Sequence, residues 1–202
     1  MRRPLSLLLL LVCLCLSACV PTMRTVRPKL SGTVTDFVSK KPLEGVRLAD
    51  DHHDAETLSD ARGHYSLGGR YALGYNMIGG EGYMLHYGVT FSKAGYLDFS
   101  NVGFGGFGTG QGMLEYEANP RMLRADHPIA VALLRVLNKE GLSEEESEAA
   151  CLDILGAVRE AGLGRGDAEY LLRSYGTWSL KPLFGQSEFC WRELRQGTSI
   201  WS

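Results

Sequence analysis

The sequence predicts a mainly β chain: a seven-stranded antiparallel β-sandwich followed by a small α-helical extension. Two observations carry this expectation. Between Leu30 and Leu67, short alternating apolar runs are separated by Asp, Gly and Pro punctuation, the pattern of half-buried strands joined by tight turns. After Asn138 the composition changes, and apolar residues recur at helical spacing up to Gly162. With 202 residues and 45% apolar content, the chain has material for one sandwich, an appendage and a packed core.

The N-terminus is read first because it removes length. Arg2 and Arg3 form a positive start, and Leu5 to Leu16 is an apolar run too short to span a bilayer as a stable helix. Leu16-Ser-Ala-Cys19 follows. That order of charge, apolar run, small residues and cysteine resembles the lipobox of bacterial lipoproteins. The resemblance implies cleavage before Cys19, acylation of Cys19, and attachment to a membrane without spanning it. Two or more acyl chains give stable anchoring where one gives only marginal binding. Val20 after the lipid-bearing cysteine resembles the outer-membrane sorting pattern of cells with two membranes.

Four segments result: a signal peptide over 1–18, a tether over 19–28, the sandwich over 29–137 and a helical extension over 138–202. Without residues 1–18 the balance is 19 basic against 23 acidic residues, or −4, with no Lys/Arg run. This argues against nucleic acid as a partner. Residues 20–28 read as a short polar tether with prolines near both ends, reaching at most about 30 Å at roughly 3.3 Å per residue.

Strands are expected at Leu30–Thr35, Gly45–Ala49, Glu56–Leu58, His64–Leu67, Met84–Ser92 and Leu97–Val102, closed by a seventh at Ile129–Val136. Val46 and Leu48 should face inward, as should Tyr65 and Leu67. Asp60-Ala-Arg-Gly63 reads as a tight turn in which Gly63 takes a positive φ at little cost. The motifs Gly32-x-Val34-x-Asp36, Pro42-Leu-x-Gly-Val46, Thr57-x-x-Asp60-x-x-Gly63-x-Tyr65-x-Leu67 and Phe91-Ser-Lys-Ala-Gly-Tyr96 together resemble the carboxypeptidase regulatory-like domain. That resemblance implies a transthyretin-like sandwich and a non-catalytic companion or binding role. It brings no chemistry with it, because a fold does not supply a site.

Two inserts depart from the family pattern. Residues 68–83 interleave glycines with Tyr71, Tyr75 and Tyr83, and part of this insert fits an extra hairpin. Residues 103–112 are Gly-rich and carry Phe104 and Phe107. If each strand crosses the sandwich once, these inserts and the loop containing His52 and His53 gather at one end. Variable loops on a rigid sandwich end are a common place for binding. The five aromatics would offer flat surfaces to a glycan or a peptide, or equally plug the core beneath long loops. The start of the first strand falls at this same end, which would turn it toward the membrane and the helices away.

In the extension, Ser143 reads as an N-cap before three glutamates, and a second short helix fits Asp167–Tyr175. Cys151 and Cys190 are the cysteines left after Cys13 and Cys15 depart and Cys19 is acylated. In an oxidising envelope an even pair reads first as a disulfide, and second as two buried thiols.

The richest set of potential metal ligands is Asp50-Asp-His-His-Asp54 with Glu56. Adjacent histidines on an extended segment point opposite ways, however, so a solvated loop is the favoured reading and no metal or other cofactor is assigned. His-Glu-x-x-His and Gly-x-Ser-x-Gly are missing, and the glycine loop lacks the Gly-Lys-Ser/Thr ending of a phosphate cradle. The expected function is a membrane-anchored envelope lipoprotein acting as a binding or assembly module for an envelope protein or glycan. The alternative is a small metal-assisted envelope hydrolase using His52 and His53.

Overall fold

In the computed structural model of the chain, residues 19–50, 55–77, 85–105, 115–137, 143–179, 190 and 192–194 are described. The chain is mainly β, with several sheets and a few helices.

Two sheets enclose the first core. One has four strands in the order β5 (Glu56–Leu58), β4 (Arg47–Asp50), β8 (Leu85–Ser92) and β9 (Phe99–Gly105), all antiparallel. The other has three, β10 (Glu115–Glu117), β2 (Lys29–Thr33) and β6 (His64–Leu67), with β2 antiparallel to β6 and parallel to β10. Leu30, Leu48, Tyr65, Leu67, Val89, Phe91 and Phe99 come from both sheets and, with Val46 just before β4, pack into one buried cluster. Alternation along β6 explains half of this: Tyr65 and Leu67 are buried, while His64 and Ser66 are exposed. Phe91 sits edge-on to both Tyr65 and Phe99, at 5.4 and 5.8 Å between ring centroids.

The expected strand at Leu30–Thr35 is split. Val34, fully buried, interrupts it between β2 and β3 (Thr35–Asp36) because its backbone serves a turn. Its N–H donates to Gly63 O at 2.8 Å and its carbonyl accepts from Leu43 N–H at 3.0 Å. Gly63 has φ of 75°, and a Cβ there would collide with the Val34 carbonyl, so the turn requires glycine twice over.

Two expectations are corrected. Ile129–Val136 is not the closing strand but lies in α1 (Pro128–Leu137). The run is apolar almost throughout, so alternation could not arbitrate, whereas burial follows helical spacing. Ile129, Ala130 and Leu133 are buried and Val131 is exposed. Proline suits the first helical position, and His127 Nδ1 accepts the Ile129 N–H at 3.3 Å. The strand positions beside β2 and β3 are taken instead by β10 and by β11 (Arg121–Met122), each parallel to its partner.

The second correction concerns the tether. Residues 19–27 form β1 (Cys19–Arg27), antiparallel to β7 (Arg70–Met77) in a two-stranded ribbon running from Arg27↔Arg70 to Cys19↔Met77. Val20, Thr22, Thr25 and Val26 favour extended backbone, and Pro21 is tolerated because the strand has an open side. The first insert does contain a strand, but its partner is β1 rather than a local hairpin neighbour.

A second core is helical. In α2 (Glu144–Glu160), Cys151, Ile154, Leu155 and Val158 follow i, i+3, i+4, i+7 spacing and are buried. Ser143 and Glu146 form a reciprocal capping box. At the other end, Gly162 at φ 71° lets the Leu163 N–H return to the Val158 carbonyl at 3.2 Å, a Schellman ending. In α3 (Arg165–Ser179), Ala168, Leu171 and Leu172 complete the cluster with Phe37 and Leu123. Cys151 and Cys190 are joined as a disulfide, with Cα atoms 5.9 Å apart. Among the described residues, no helix is long and apolar enough to cross a membrane.

Candidate functional site

The two sheets meet different elements at their two ends, and Tyr71, Tyr75 and Phe104 fall on strands that extend from one of them. At that end β4 stops at Asp50, β6 stops at Leu67 and β2 begins, while β1 and β7 leave as the ribbon. A single guanidinium ties these elements. Arg27 donates from Nε and Nη2 to the Gly68 carbonyl at 3.1 and 3.0 Å, and from Nη1 to Asp50 Oδ2. Only 12% of the Arg27 side chain and 8% of the Asp50 side chain are exposed, so removing either member would leave a largely buried charge without its partner. Beside the ribbon, β8 and β9 run past the end of β4: Asp50 faces Val89, while Leu85–Gly88 and Val102–Gly105 continue outward paired with each other. β1 lies alongside β8.

Tyr71, Tyr75 and Phe104 fall on these two extensions. Tyr71 is half-buried opposite Thr25, and a side chain at Gly69 would overlap its ring and hydroxyl. Tyr75 is in register with Pro21, and Phe104 with His86. His52, His53, Tyr83 and Phe107 lie outside the described residues, as do Asp51 and Asp54. Among the described residues no three His, Cys, Asp or Glu side chains converge to hold a metal ion. His64 is an exposed strand residue whose Nδ1 hydrogen-bonds the Thr33 hydroxyl at 2.9 Å.

At the opposite end β3, the β8–β9 turn and the helices meet. Tyr170 and Tyr175 of α3 touch both cores. Tyr170 Oη accepts the Arg121 N–H at 2.7 Å and Tyr175 Oη accepts the Leu123 N–H at 3.1 Å, satisfying the backbone of β11 and the residue after it. Burial drives the Tyr175 phenol well above its ordinary pKa. Asp167 Oδ1 accepts from Lys40 Nζ at 2.6 Å and from Arg121 Nη1. The Arg121 guanidinium lies 3.8 Å from the centre of the Tyr170 ring and 5.5 Å from that of Phe37.

Two carboxyls here are acidified. Burial alone would raise Asp167, but Lys40 and Arg121 hold it below the ordinary carboxylate range. Burial would likewise raise Asp36, and hydrogen bonds from Ser39, Tyr96 and Val38 outweigh it. Both are ionised, fully engaged and structural in effect: they fasten the helical unit and the turn after β3.

Sequence reasoning did not find Phe37, Lys40, Arg121 and Asp167 as a group. Lys40 and Asp167 are 127 positions apart, and the local signal was confined to an acidic residue in the first turn of a helix. No protein-family model matches the chain, and no curated protein matches it.

Proposed function

We propose that this chain is a lipid-anchored lipoprotein of a bacterial cell envelope, and that its transthyretin-like sandwich is a non-catalytic binding or assembly module. The supporting observation is the position of Cys19. The cysteine that ends the lipobox-like Leu16-Ser-Ala-Cys19 lies in the β1–β7 ribbon, paired with Met77, the outermost pair among the described residues. The helical unit docks at the other end of the sandwich.

On this reading the extensions that carry Tyr71, Tyr75 and Phe104 are presented close to the lipid, and the helices face away from it. The partner is an envelope protein or glycan met near the membrane surface. Arg27 and Asp50 keep the ribbon and the sandwich in one orientation, so that the partner sees a fixed surface.

The test has two readings. Cys19→Ser is expected to move the protein from the membrane pellet to the soluble fraction, and its retention in the pellet would sink the anchor. A photo-crosslinkable phenylalanine analogue at Tyr71 is expected to capture one partner in intact cells. The same analogue at Arg173, exposed on α3, should capture none. A partner recovered from 173 and not from 71 would move the binding surface to the helices. Capture from neither would remove the binding role.

A further inference from the structure

We infer that His127 is a proton-operated helix cap. Its neutral imidazole closes the start of α1, and its protonation releases that turn, so that acid loosens the joint between the sandwich and the helical core.

The backbone places the residue. The His127 carbonyl accepts the first helical bond, from the Val131 N–H at 3.0 Å, which makes His127 the N-cap of α1. Pro128, the first helical residue, has no N–H, so Ile129 carries the first amide that needs an acceptor. His127 Nδ1 supplies it at 3.3 Å. A backbone N–H can only donate, and Nδ1 accepts only while it carries no proton. Protonation therefore removes the acceptor and sets a positive charge at the positive end of the helix dipole.

The other described helix starts use different groups. The Ser143 hydroxyl and the Glu146 carboxylate cap α2, and Asp167 Oδ2 accepts the Gly164 N–H at 3.3 Å just ahead of α3. His64 also bonds through Nδ1, but to the Thr33 hydroxyl, which can turn from donor to acceptor when the ring gains a proton. His64 tolerates either charge. His127 does not.

The neighbouring charges favour the released form. Arg124 donates to Asp126 from Nε and Nη2 at 3.0 and 2.8 Å and holds that carboxyl below the ordinary carboxylate range. Asp126, next to His127, is thus ionised wherever histidines titrate and attracts the imidazolium. In the β8–β9 turn, Tyr96 pairs with Arg124 through the backbone and donates to Asp36 Oδ2, Lys93 donates to the Glu44 carbonyl, and Asp98 is exposed. The helices bring Cys151, Ile154, Leu155 and Val158 of α2 and Ala168, Leu171 and Leu172 of α3 to the cluster that holds Ile129, and none of these is charged.

What the cap holds is a joint. The Leu123 carbonyl accepts from Leu97 N–H at 2.8 Å, the Ala125 N–H goes to Gly95 O at 2.9 Å, and the Leu123 N–H goes to Tyr175 of α3. A few residues on, Ile129 and Ala130 are fully buried in the helical core. The first turn of α1 therefore connects the sandwich to that core, and it is the part that a lost cap frees.

The experiment measures amide exchange in the full-length protein at pH 7.5 and 5.5, residue by residue, each rate divided by the chemical rate at that pH. Ile129 and Val131 are expected to lose protection about fivefold at the lower pH, the size of one lost N-cap bond, while α2 is unchanged. In His127→Asn, whose carboxamide caps at either pH, the difference should vanish. In the parent protein the Ile129 amide resonance should also shift with the same midpoint as the His127 ring protons. Equal protection of α1 at the two pH values would overturn the inference, as would an Ile129 amide that does not follow the His127 titration. A pH effect that persists in His127→Asn would assign it to another group and overturn it too.

Discussion

The end of the sandwich that carries the ribbon and the end that carries the helices satisfy their polar and apolar groups in opposite ways. At the helical end nearly every device is closed on itself. The capping box, the Schellman ending, the Cys151–Cys190 bridge and the Asp167 ion pairs all find partners within the chain. At the ribbon end, Arg27 links the two-stranded extension to Asp50 and Gly68, and Leu73 is exposed. The two ends are thus fastened by different means, one by helix caps, a disulfide and ion pairs, the other by strand pairing and the buried Arg27–Asp50 pair.

Breaking each end separately sharpens this contrast. The largest effect is expected from removing the disulfide. Cys151→Ser with Cys190→Ser opens a link between residues 39 apart and should destabilise the helical unit by about 4 kcal/mol in the chain-entropy account. Denaturant unfolding followed by helical circular dichroism measures it, and the strand signal should persist to higher denaturant than the helical one. Simultaneous loss of both would show that the sandwich has no stability of its own.

Arg27→Ala comes next. It leaves Asp50 largely buried without its cation and should cost about 3 kcal/mol. Hydrogen exchange should accelerate in β1 and β7 and stay unchanged in α2. Equal acceleration in the helices would mean that the two ends are mechanically one.

The smallest effect is at Asp167, where Asp167→Asn should cost about 1 kcal/mol because the ion pairs are partly open to water. Its pH dependence is the sharper reading. The native carboxyl is held below its ordinary value, so its contribution is complete above the unfolded pKa and is lost as pH falls through the native one. That window lies below about pH 4. There the Asn variant should lose stability less steeply than the parent, with Asp36, Asp60 and Asp126, also acidified, contributing to the dependence that remains. Parallel curves for the two proteins would remove Asp167 from the account.

Particular residues show how far the sequence could be read. Glu56–Leu58 and His64–Leu67 were legible as strands to the residue, because alternation and a Gly63 turn act within a few positions. Ser143 was legible as a cap for the same reason, and the Cys151–Cys190 bridge followed from counting. Ile129–Val136 was misread since an all-apolar run has no period to separate strand from helix. The tether was misread because its partner strand, 43 or more positions away, supplies the pairing that makes it β1. Of the candidate site, the sequence singled out Tyr71, Tyr75 and Phe104 by composition alone, and it had no means of pairing Cys19 with Met77.

What the sequence determined by itself is therefore local: which segments are strands with a buried face, where helices start and stop, and which two cysteines are left to form a disulfide. Patterns of two and 3.6 residues and the preferences of turn and cap residues act over a handful of positions, and so they can be read without a fold. Only the tertiary structure decided that residues 19–27 pair with residues 70–77, that Arg27 reaches Asp50, and that Phe37, Lys40, Arg121 and Asp167 meet. Those contacts join positions 23 to 127 residues apart. They depend on how whole layers bury their apolar faces against one another, a condition that no short stretch of sequence contains.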